Sequence, residues 1–152
     1  MPTAAQPNPA LRPEARTLLA GCAGWNSRLA ARRISQFMDR ELAASGLTVA
    51  QVGLMAQIAV AEDDTLGALA RRCGMDQSTL SRNLRTLERE GLAEIVTAVK
   101  DLRRRAVWLT ETGLRRLDAA LPAWRRAQEA LAAHLQGELA RHLAAATEAL
   151  GE

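Results

Sequence analysis

The residue types between Asp76 and Gly91 suit one kind of chemistry, which is hydrogen bonding to the edges and phosphates of double-stranded DNA. Asp76 is a favourable N-cap residue and Gly91 a helix terminator, so a helix is predicted between them. Its core face is predicted to consist of leucines at helical spacing: Leu80, Leu84 and Leu87. At about 100° per residue the opposite face is polar and basic, and a helix with such a face fits the major groove.

Position along this helix separates two roles, because side chains near the start of a recognition helix reach base edges. The predicted base readers are Gln77, Ser78, Ser81 and Arg82. Further along, Arg85 and Arg89 are predicted to contact phosphates, which position a protein on the duplex. The alternative is that all these side chains form the solvated face of an ordinary amphipathic helix.

A charged segment after the helix favours the DNA interpretation. Residues 92–99 are rich in β-branched side chains and residues 106–109 are apolar, which predicts a hairpin with Lys100 to Arg105 at its tip. Such a wing can place a guanidinium in the minor groove, and its candidates are Arg103, Arg104 and Arg105, with Arg103 and Arg105 preferred. Asp101 could orient one arginine through paired hydrogen bonds, or only moderate repulsion within a basic loop.

The elements that position these residues can be placed by their caps. Thr48 and Gln51 form a capping-box pattern that opens a helix from Val49 to about Ala61. A short helix, Leu66 to Cys73, is closed by a glycine and followed at once by Asp76. Two helices joined by a turn of about three residues are typical of a helix-turn-helix.

Long helices are predicted on both sides of this lobe. Residues 1–13 contain four prolines and are predicted to be a flexible arm. A long helix then extends from Glu14 to about Ala44, weakened locally by two glycines. Thr110 caps another long helix, in which Pro122 is predicted to produce a kink, and a final helix extends from about Gln136 to Leu150.

Composition and charge agree with a mostly α chain. A length of 152 residues is sufficient for one domain with a real core, and one Phe with no Tyr argues against a β-sandwich. The net charge is only +3, but residues 65–110 hold nine Lys and Arg against five Asp and Glu. A local positive excess of this kind is what phosphate binding requires.

Other classes of protein are disfavoured. The chain lacks the common phosphate-loop, nucleophile-elbow and HExxH motifs, so we do not expect an enzyme. Two cysteines and two histidines show no ligand spacing, so no metal or cofactor is expected. No apolar run reaches the roughly 18 residues of a membrane span, and no signal peptide is evident, so a cytoplasmic protein without a membrane partner is predicted.

Three segments of the chain resemble the MarR family of bacterial transcriptional regulators: LTVAQVGLMAQIA, LGALARRCGMDQSTLSRNLRTLEREGLAEIV and DLRRRAVWLTETG. The resemblance covers about residues 18–145, and its motifs are specific as a set rather than singly. They are the D-x-S-T-L-S-R run from Asp76 to Arg82, the L-x-x-x-G-L run from Leu87 to Leu92, and Leu109 with Thr110 after the hairpin. It implies a single domain, 14–152, that is mostly α with a small β-hairpin wing. The winged helix-turn-helix lobe is expected at 46–110, and dimerisation helices at 14–45 and 111–152.

The resemblance also implies a homodimer that binds a roughly palindromic operator of double-stranded DNA. It implies a repressor, which a small aromatic or phenolic effector releases from the operator. The flanking helices carry more apolar surface than the lobe's own core needs, which independently favours a partner. The effector pocket is expected between the dimer helices and the lobe. Its candidate lining residues are Trp25, Arg28, Met38, Met55 and Trp124. Since Trp and Met at helical spacing usually pack, core or dimer contacts are the preferred interpretation for most of them.

Some interpretations remain open from the sequence. Cys22 could be a redox sensor or, as we prefer, a buried structural thiol, since no Tyr is present to hold a reactive thiolate. The chain could also be a helical interaction module whose basic hairpin binds an acidic partner. A third possibility is an architectural DNA binder that responds to no effector.

Overall fold

A computed structural model describes residues 8–61, 65–98, 101–136 and 138–151, and the side chains of residues 98, 101–105 and 151 are outside this description. The helices and strands are α1 (Leu11–Gly21), α2 (Ala23–Leu42), a 3₁₀ turn (Ala43–Ser45), α3 (Val49–Ala59), α4 (Leu66–Cys73), α5 (Gln77–Arg89), β1 (Ala93–Ala98), β2 (Asp101–Leu109), α6 (Glu111–Ala132), α7 (Leu139–Ala146) and a second 3₁₀ turn (Glu148–Gly151). The prediction of a mostly α fold with one β-hairpin is confirmed. The chain forms two compact units, one ending at Phe37 and the other beginning at Met38.

The predicted long N-terminal helix is wrong, because the chain forms two helices that meet at Cys22. The backbone of Cys22 is extended, with φ −74° and ψ 105°, and a glycine lies within two residues on either side. The Asn26 side-chain amide donates to the carbonyls of Leu19 and Ala20, which compensates for their lost helical partners. Helix α1 also begins three residues before Glu14, since Pro13 is tolerated in a first turn, where its missing N–H needs no partner.

The core of the second unit joins α3 to the helix-turn-helix. The capping box at the start of α3 is confirmed, because the Gln51 N–H donates to the Thr48 hydroxyl and the Gln51 side chain accepts from the Thr48 N–H. Helix α3 ends at Ala59, two residues earlier than predicted. Its apolar face packs into a cluster that also contains Leu69 and Val107, and the largest fully buried side chains are Leu42, Met55, Leu69, Leu80, Leu84, Leu87, Leu92 and Val107.

The helix-turn-helix matches its predicted limits, because both caps are formed. The left-handed backbone of Gly74, at φ 59°, ends α4 and lets the Met75 N–H reach the Ala70 carbonyl at 3.0 Å. Asp76 then caps α5, and its carboxylate accepts from the Thr79 N–H at 2.8 Å. The turn between the two helices therefore consists of residues 74–76, as the spacing predicts.

The hairpin is present, but its charged residues are not confined to a tip. Strand β2 begins at Asp101, so residues predicted as a loop form strand backbone. The strands pair antiparallel, with Ala93 opposite Leu109, and the register shifts between Thr97 and Ala98. Since Arg105 pairs with Thr97 and Asp101 with Ala98, residues 102–104 are accommodated at an irregularity in the ladder.

Helix α6 starts against the hairpin through a close backbone approach. The Thr110 hydroxyl accepts from the Gly113 N–H at 2.9 Å and donates to the Gly91 carbonyl at 2.7 Å.

Pro122 lies inside α6. The predicted final helix is shorter than expected, because Glu138 adopts a left-handed backbone at φ 64° and α7 ends at Ala146, before a Thr147 whose hydroxyl donates to the Leu143 carbonyl.

Among the described residues, no single helix is both long and apolar enough to cross a membrane, although the segments Ala23–Ser45 and Val49–Ala59 satisfy that criterion when counted together as one bent pair.

Candidate nucleic-acid interface

Helix α5 presents its polar face to solvent, as its spacing predicts. The three leucines of the opposite face are buried and anchor the helix in the core. Five of the six predicted DNA-contacting residues on α5 are exposed: Gln77, Ser78, Arg82, Arg85 and Arg89. The sixth, Ser81, is half-buried at the edge of this face. At about 100° per residue Ser78, Arg82, Arg85 and Arg89 lie opposite the buried leucines, Ser81 lies toward the edge of that face, and Gln77 is the first residue of the helix.

The N-terminus of α5 carries a hydrogen-bond network centred on the Asp76 carboxylate. Besides the Thr79 N–H, Asp76 accepts from the Ser78 hydroxyl at 2.6 Å and from the Thr79 hydroxyl at 2.8 Å. The Thr79 oxygen in turn accepts from Nη2 of Arg82 at 3.3 Å. Two of the predicted base readers, Ser78 and Arg82, are thus connected to the helix cap.

The same hydrogen bonds determine the charge state of the cap. The Ser78 hydroxyl, followed by the Thr79 N–H and hydroxyl, holds the pKa of the Asp76 carboxyl well below its usual range. Asp76 is therefore an anion at neutral pH and can only accept hydrogen bonds. Because Ser78 donates its single proton to Asp76, the remaining hydrogen-bonding capacity of its oxygen is as an acceptor.

Sequence reasoning missed Thr79, which helical spacing places on the flank between the core face and the DNA-facing side. Its side chain is half-buried and links the Arg82 guanidinium to the Asp76 carboxylate through two hydrogen bonds. The signal was present in the sequence, since a hydroxyl residue three positions after an N-cap Asp and three before an Arg can reach both on a helix. The network itself was recognised only from the side-chain rotamers.

A second contact fixes the far end of α5 to α3. Nε2 of Gln51 donates to Oε2 of Glu90, the C-cap residue of α5, at 3.0 Å. Both residues line a cleft of about 350 Å³ that is open to solvent on one side. The residues that line this cleft are Thr48, Ala50, Gln51, Leu54, Asn83, Thr86, Leu87 and Glu90. None of the residues predicted to line an effector pocket belongs to this cleft.

The wing residues are placed by their backbone only. Arg103, Arg104, Arg105 and Asp101 lie on β2, and their side chains are outside the described part of the structure. Lys100 is likewise outside the described residues. Strand β1, which pairs with β2, follows α5 after a three-residue connection that includes Gly91, at φ 69°. The hairpin is therefore adjacent to the recognition helix in sequence and contacts it through β1.

The predicted pocket residues have different environments. Met38 and Met55 are buried, with 2% and 0% of their surface exposed, and Met55 belongs to the core cluster. Trp124 packs against that cluster and is half-buried. In the first unit, Trp25 is 50% exposed and Arg28 is also exposed. Core packing therefore accounts for Met55 and Trp124 without a ligand.

Both cysteines are free thiols and half-buried, so Cys22 is not the fully buried thiol that we preferred from the sequence. Sγ of Cys22 accepts from the Trp25 N–H at 3.4 Å, so the thiol helps to cap α2 at the break. Burial raises the pKa of the Cys73 thiol, with the nearby Arg72 opposing the shift, and a raised pKa disfavours the reactive thiolate. Within the described ranges, no group of three His, Cys, Asp or Glu side chains could hold a metal ion.

Comparisons with known proteins identify the arrangement. A model of the MarR family matches residues 45–104. The transcriptional regulator MosR of M. tuberculosis, solved in complex with DNA, is 34% identical, with a TM-score of 0.77 over 85% of this chain and 96% of that chain. No curated protein gives a significant match.

Two less similar structures share the fold. MepR of S. aureus, solved as a DNA complex, is 22% identical, with a TM-score of 0.68 over 84% of this chain and 95% of that one. PcaV of Streptomyces coelicolor, solved with its natural ligand, is 23% identical, with a TM-score of 0.72 over 85% and 96% of the two chains. Together with the family-model match and the 34% identity over nearly all of MosR, the winged helix-turn-helix establishes that this chain belongs to the MarR family of transcriptional regulators, which are not enzymes.

Proposed function

We propose that the protein is a homodimeric repressor that binds a palindromic DNA operator. In this proposal, binding of a small molecule releases the repressor from the operator. The observation that carries the DNA-binding part is the exposed polar face of α5, held by three buried leucines. A rigid helix with donors and acceptors on one side can read base edges, whereas a flexible one would lose much of that selectivity to ordering entropy.

In this proposal the α5 side chains divide between bases and phosphates. Gln77, Ser78, Ser81 and Arg82 contact base edges near the start of the helix, and Arg85 and Arg89 contact phosphates. Because the Ser78 proton is donated to Asp76, Ser78 faces the groove as an acceptor. It would therefore favour a base that offers an amino group there, adenine or cytosine.

The wing supplies the contact beside the recognition helix. We place Arg103 and Arg105 in or at the minor groove, with Arg104 near phosphates and Asp101 orienting one guanidinium. Strand β2 supports this assignment, since it includes these residues and leads into the buried residues of the hairpin, Ala106 and Val107. Pairing with Thr97 fixes the backbone of Arg105 beside this buried end of the hairpin.

Dimerisation is supported by apolar side chains that the isolated chain leaves uncovered. On α7, Leu139 and Leu143 lie four residues apart on one face and are 51% and 49% exposed. In the first unit, Leu18 and Trp25 are also exposed. A symmetric dimer would cover such surfaces and place two recognition helices about 34 Å apart, one turn of DNA.

The effector part of the proposal involves a small aromatic or phenolic anion. The exposed Trp25 ring and the Arg28 guanidinium offer stacking and charge pairing for such a ligand, and Met38, Met55 and Trp124 are the remaining candidates. The PcaV structure supports the general idea, since that protein is described with a natural ligand. A phenolic carboxylate that raises the melting temperature of wild type but not of Arg28→Ala would support this site.

The DNA-binding proposal can be tested with duplexes selected from a random pool by the wild-type protein, each compared with a scrambled duplex. Arg82→Ala should lower affinity for the selected duplex by about 1 to 3 kcal/mol, and affinity for the scrambled duplex much less. Arg115→Ala removes one positive charge from α6, where Arg115 pairs with Glu111 at 2.8 Å, and serves as the control. If no duplex is enriched by selection, sequence-specific binding is refuted.

A further inference from the structure

We propose that Thr79 is a positioning residue for sequence recognition, whose hydroxyl holds the Arg82 guanidinium ready for its base contact. This inference rests on the proposed function, in which Arg82 reads a base edge. Two hydrogen bonds carry it: Oγ1 of Thr79 donates to Oδ2 of Asp76 at 2.8 Å and accepts from Nη2 of Arg82 at 3.3 Å.

The chemistry of the three groups allows only one direction for this chain of hydrogen bonds. Arginine is a donor only, and the ionised Asp76 carboxylate is an acceptor only. The Thr79 hydroxyl has one proton, which it gives to Asp76, so its lone pairs face Arg82. The hydroxyl therefore cannot turn away from Arg82 without losing its bond to the carboxylate.

The arrangement leaves Arg82 free to contact DNA. A guanidinium has five N–H donors, and the bond to Thr79 uses one of them. A bidentate contact to the O6 and N7 atoms of guanine needs two more. Holding a long side chain near its bound conformation before binding reduces the entropy lost on association, and the expected gain is about three- to tenfold in affinity.

The proposal requires that the hydroxyl of Thr79, and not the volume of its side chain, positions Arg82 for sequence recognition. Thr79→Val keeps the shape of the half-buried side chain and removes the hydroxyl, and Thr79→Ser keeps the hydroxyl. Both variants retain the Thr79 N–H that caps α5 by donating to Asp76 at 2.8 Å. Circular dichroism melts would confirm that each variant folds.

The experiment measures affinity for a selected duplex and a scrambled duplex at several salt concentrations. Thr79→Val should lower affinity for the selected duplex about three- to tenfold, and leave both the scrambled duplex and the salt dependence unchanged. Thr79→Ser should stay within about twofold of wild type on both. In the Arg82→Ala background, Thr79→Val should have no further effect, because the two residues act through one interaction.

Other outcomes overturn the inference. Unchanged discrimination in Thr79→Val, equal loss on both duplexes, or an equal defect in Thr79→Ser would each show that Thr79 has only a structural role. If Arg82→Ala discriminates normally, Arg82 does not read a base, and the proposed function of Arg82 fails together with the inference. If Arg82→Ala loses discrimination and Thr79→Val keeps it, only the inference fails.

Discussion

Replacement of Gly113 by alanine should destabilise the junction between the hairpin and α6. A Cβ atom on Gly113 would lie 2.0 Å from the Leu92 carbonyl oxygen and 2.9 Å from its carbon. Because a real Cβ essentially never comes within 3.0 Å of such atoms, the two backbones would have to separate by about 1 Å. The Thr110 N–H donates to the same carbonyl at 3.1 Å, so the separation also disturbs the cap of α6.

The magnitude follows from these contacts. Overpacking against backbone costs about 1 to 3 kcal/mol, and weakening of the cap costs about 1 kcal/mol more. The better helix propensity of alanine offsets about 1 kcal/mol of this. A net loss of about 1 to 3 kcal/mol in the free energy of unfolding corresponds to a fall of roughly 2 to 12 °C in Tm for a chain of this size.

The assay is thermal unfolding followed by circular dichroism at one fixed protein concentration, since dimerisation would make Tm depend on concentration. Gly53→Ala is the matched control. Gly53 lies inside α3, and nothing lies within 4 Å of an added Cβ, so this substitution should raise Tm by about 2 to 4 °C. A Gly113→Ala protein that melts within 1 °C of wild type would refute the close approach of Leu92.

Three further predictions concern charge and assembly. Arg85→Ala and Arg89→Ala should each weaken binding to selected and scrambled duplexes alike, and reduce the log–log salt dependence by about 0.9 per lost phosphate contact; an unchanged slope would exclude that contact. The Asp76 carboxyl has a lowered folded-state pKa, so its charge stabilises the fold above the unfolded pKa of about 3.9. Chemical denaturation should therefore show wild type more stable than Asp76→Asn at pH 7, with the difference shrinking progressively as pH falls below about 4 toward the lowered folded-state pKa; a difference of the same size at pH 7 and pH 2 would contradict this. Leu139→Glu with Leu143→Glu should yield monomers in light scattering after size-exclusion chromatography, and a dimer unchanged at low micromolar concentration would rule out α7 as an interface.

Local signals in the sequence were sufficient for the DNA-binding lobe. The N-cap at Asp76 and the capping box at Thr48 use side chains within three residues of their backbone partners, so their formation depends on few distant contacts. Leu80, Leu84 and Leu87 recur at helical spacing, and all three are buried. For the same reason the exposed face of α5 could be predicted residue by residue.

The long helices were less predictable, because their ends depend on weaker signals. Gly21 and Gly24 reduce helix propensity but do not determine whether a helix bends or stops. At the interruption at Cys22, the Asn26 amide reaches back to the carbonyls of Leu19 and Ala20, over seven and six residues respectively. No propensity scale includes such a contact.

The sequence by itself determined the class of the fold, the helix-turn-helix, and the face of α5 that meets solvent, because each follows from spacing and caps within a few residues. The link from Asp76 through Thr79 to Arg82 is also local, but it required side-chain rotamers that spacing does not fix. Only the tertiary structure decided that the charged residues after Asp101 belong to a strand, which depends on pairing with β1. It also decided that Gly113 lies against the Leu92 carbonyl, which brings together backbone positions twenty-one residues apart. Interactions of these kinds exist only after the chain has folded.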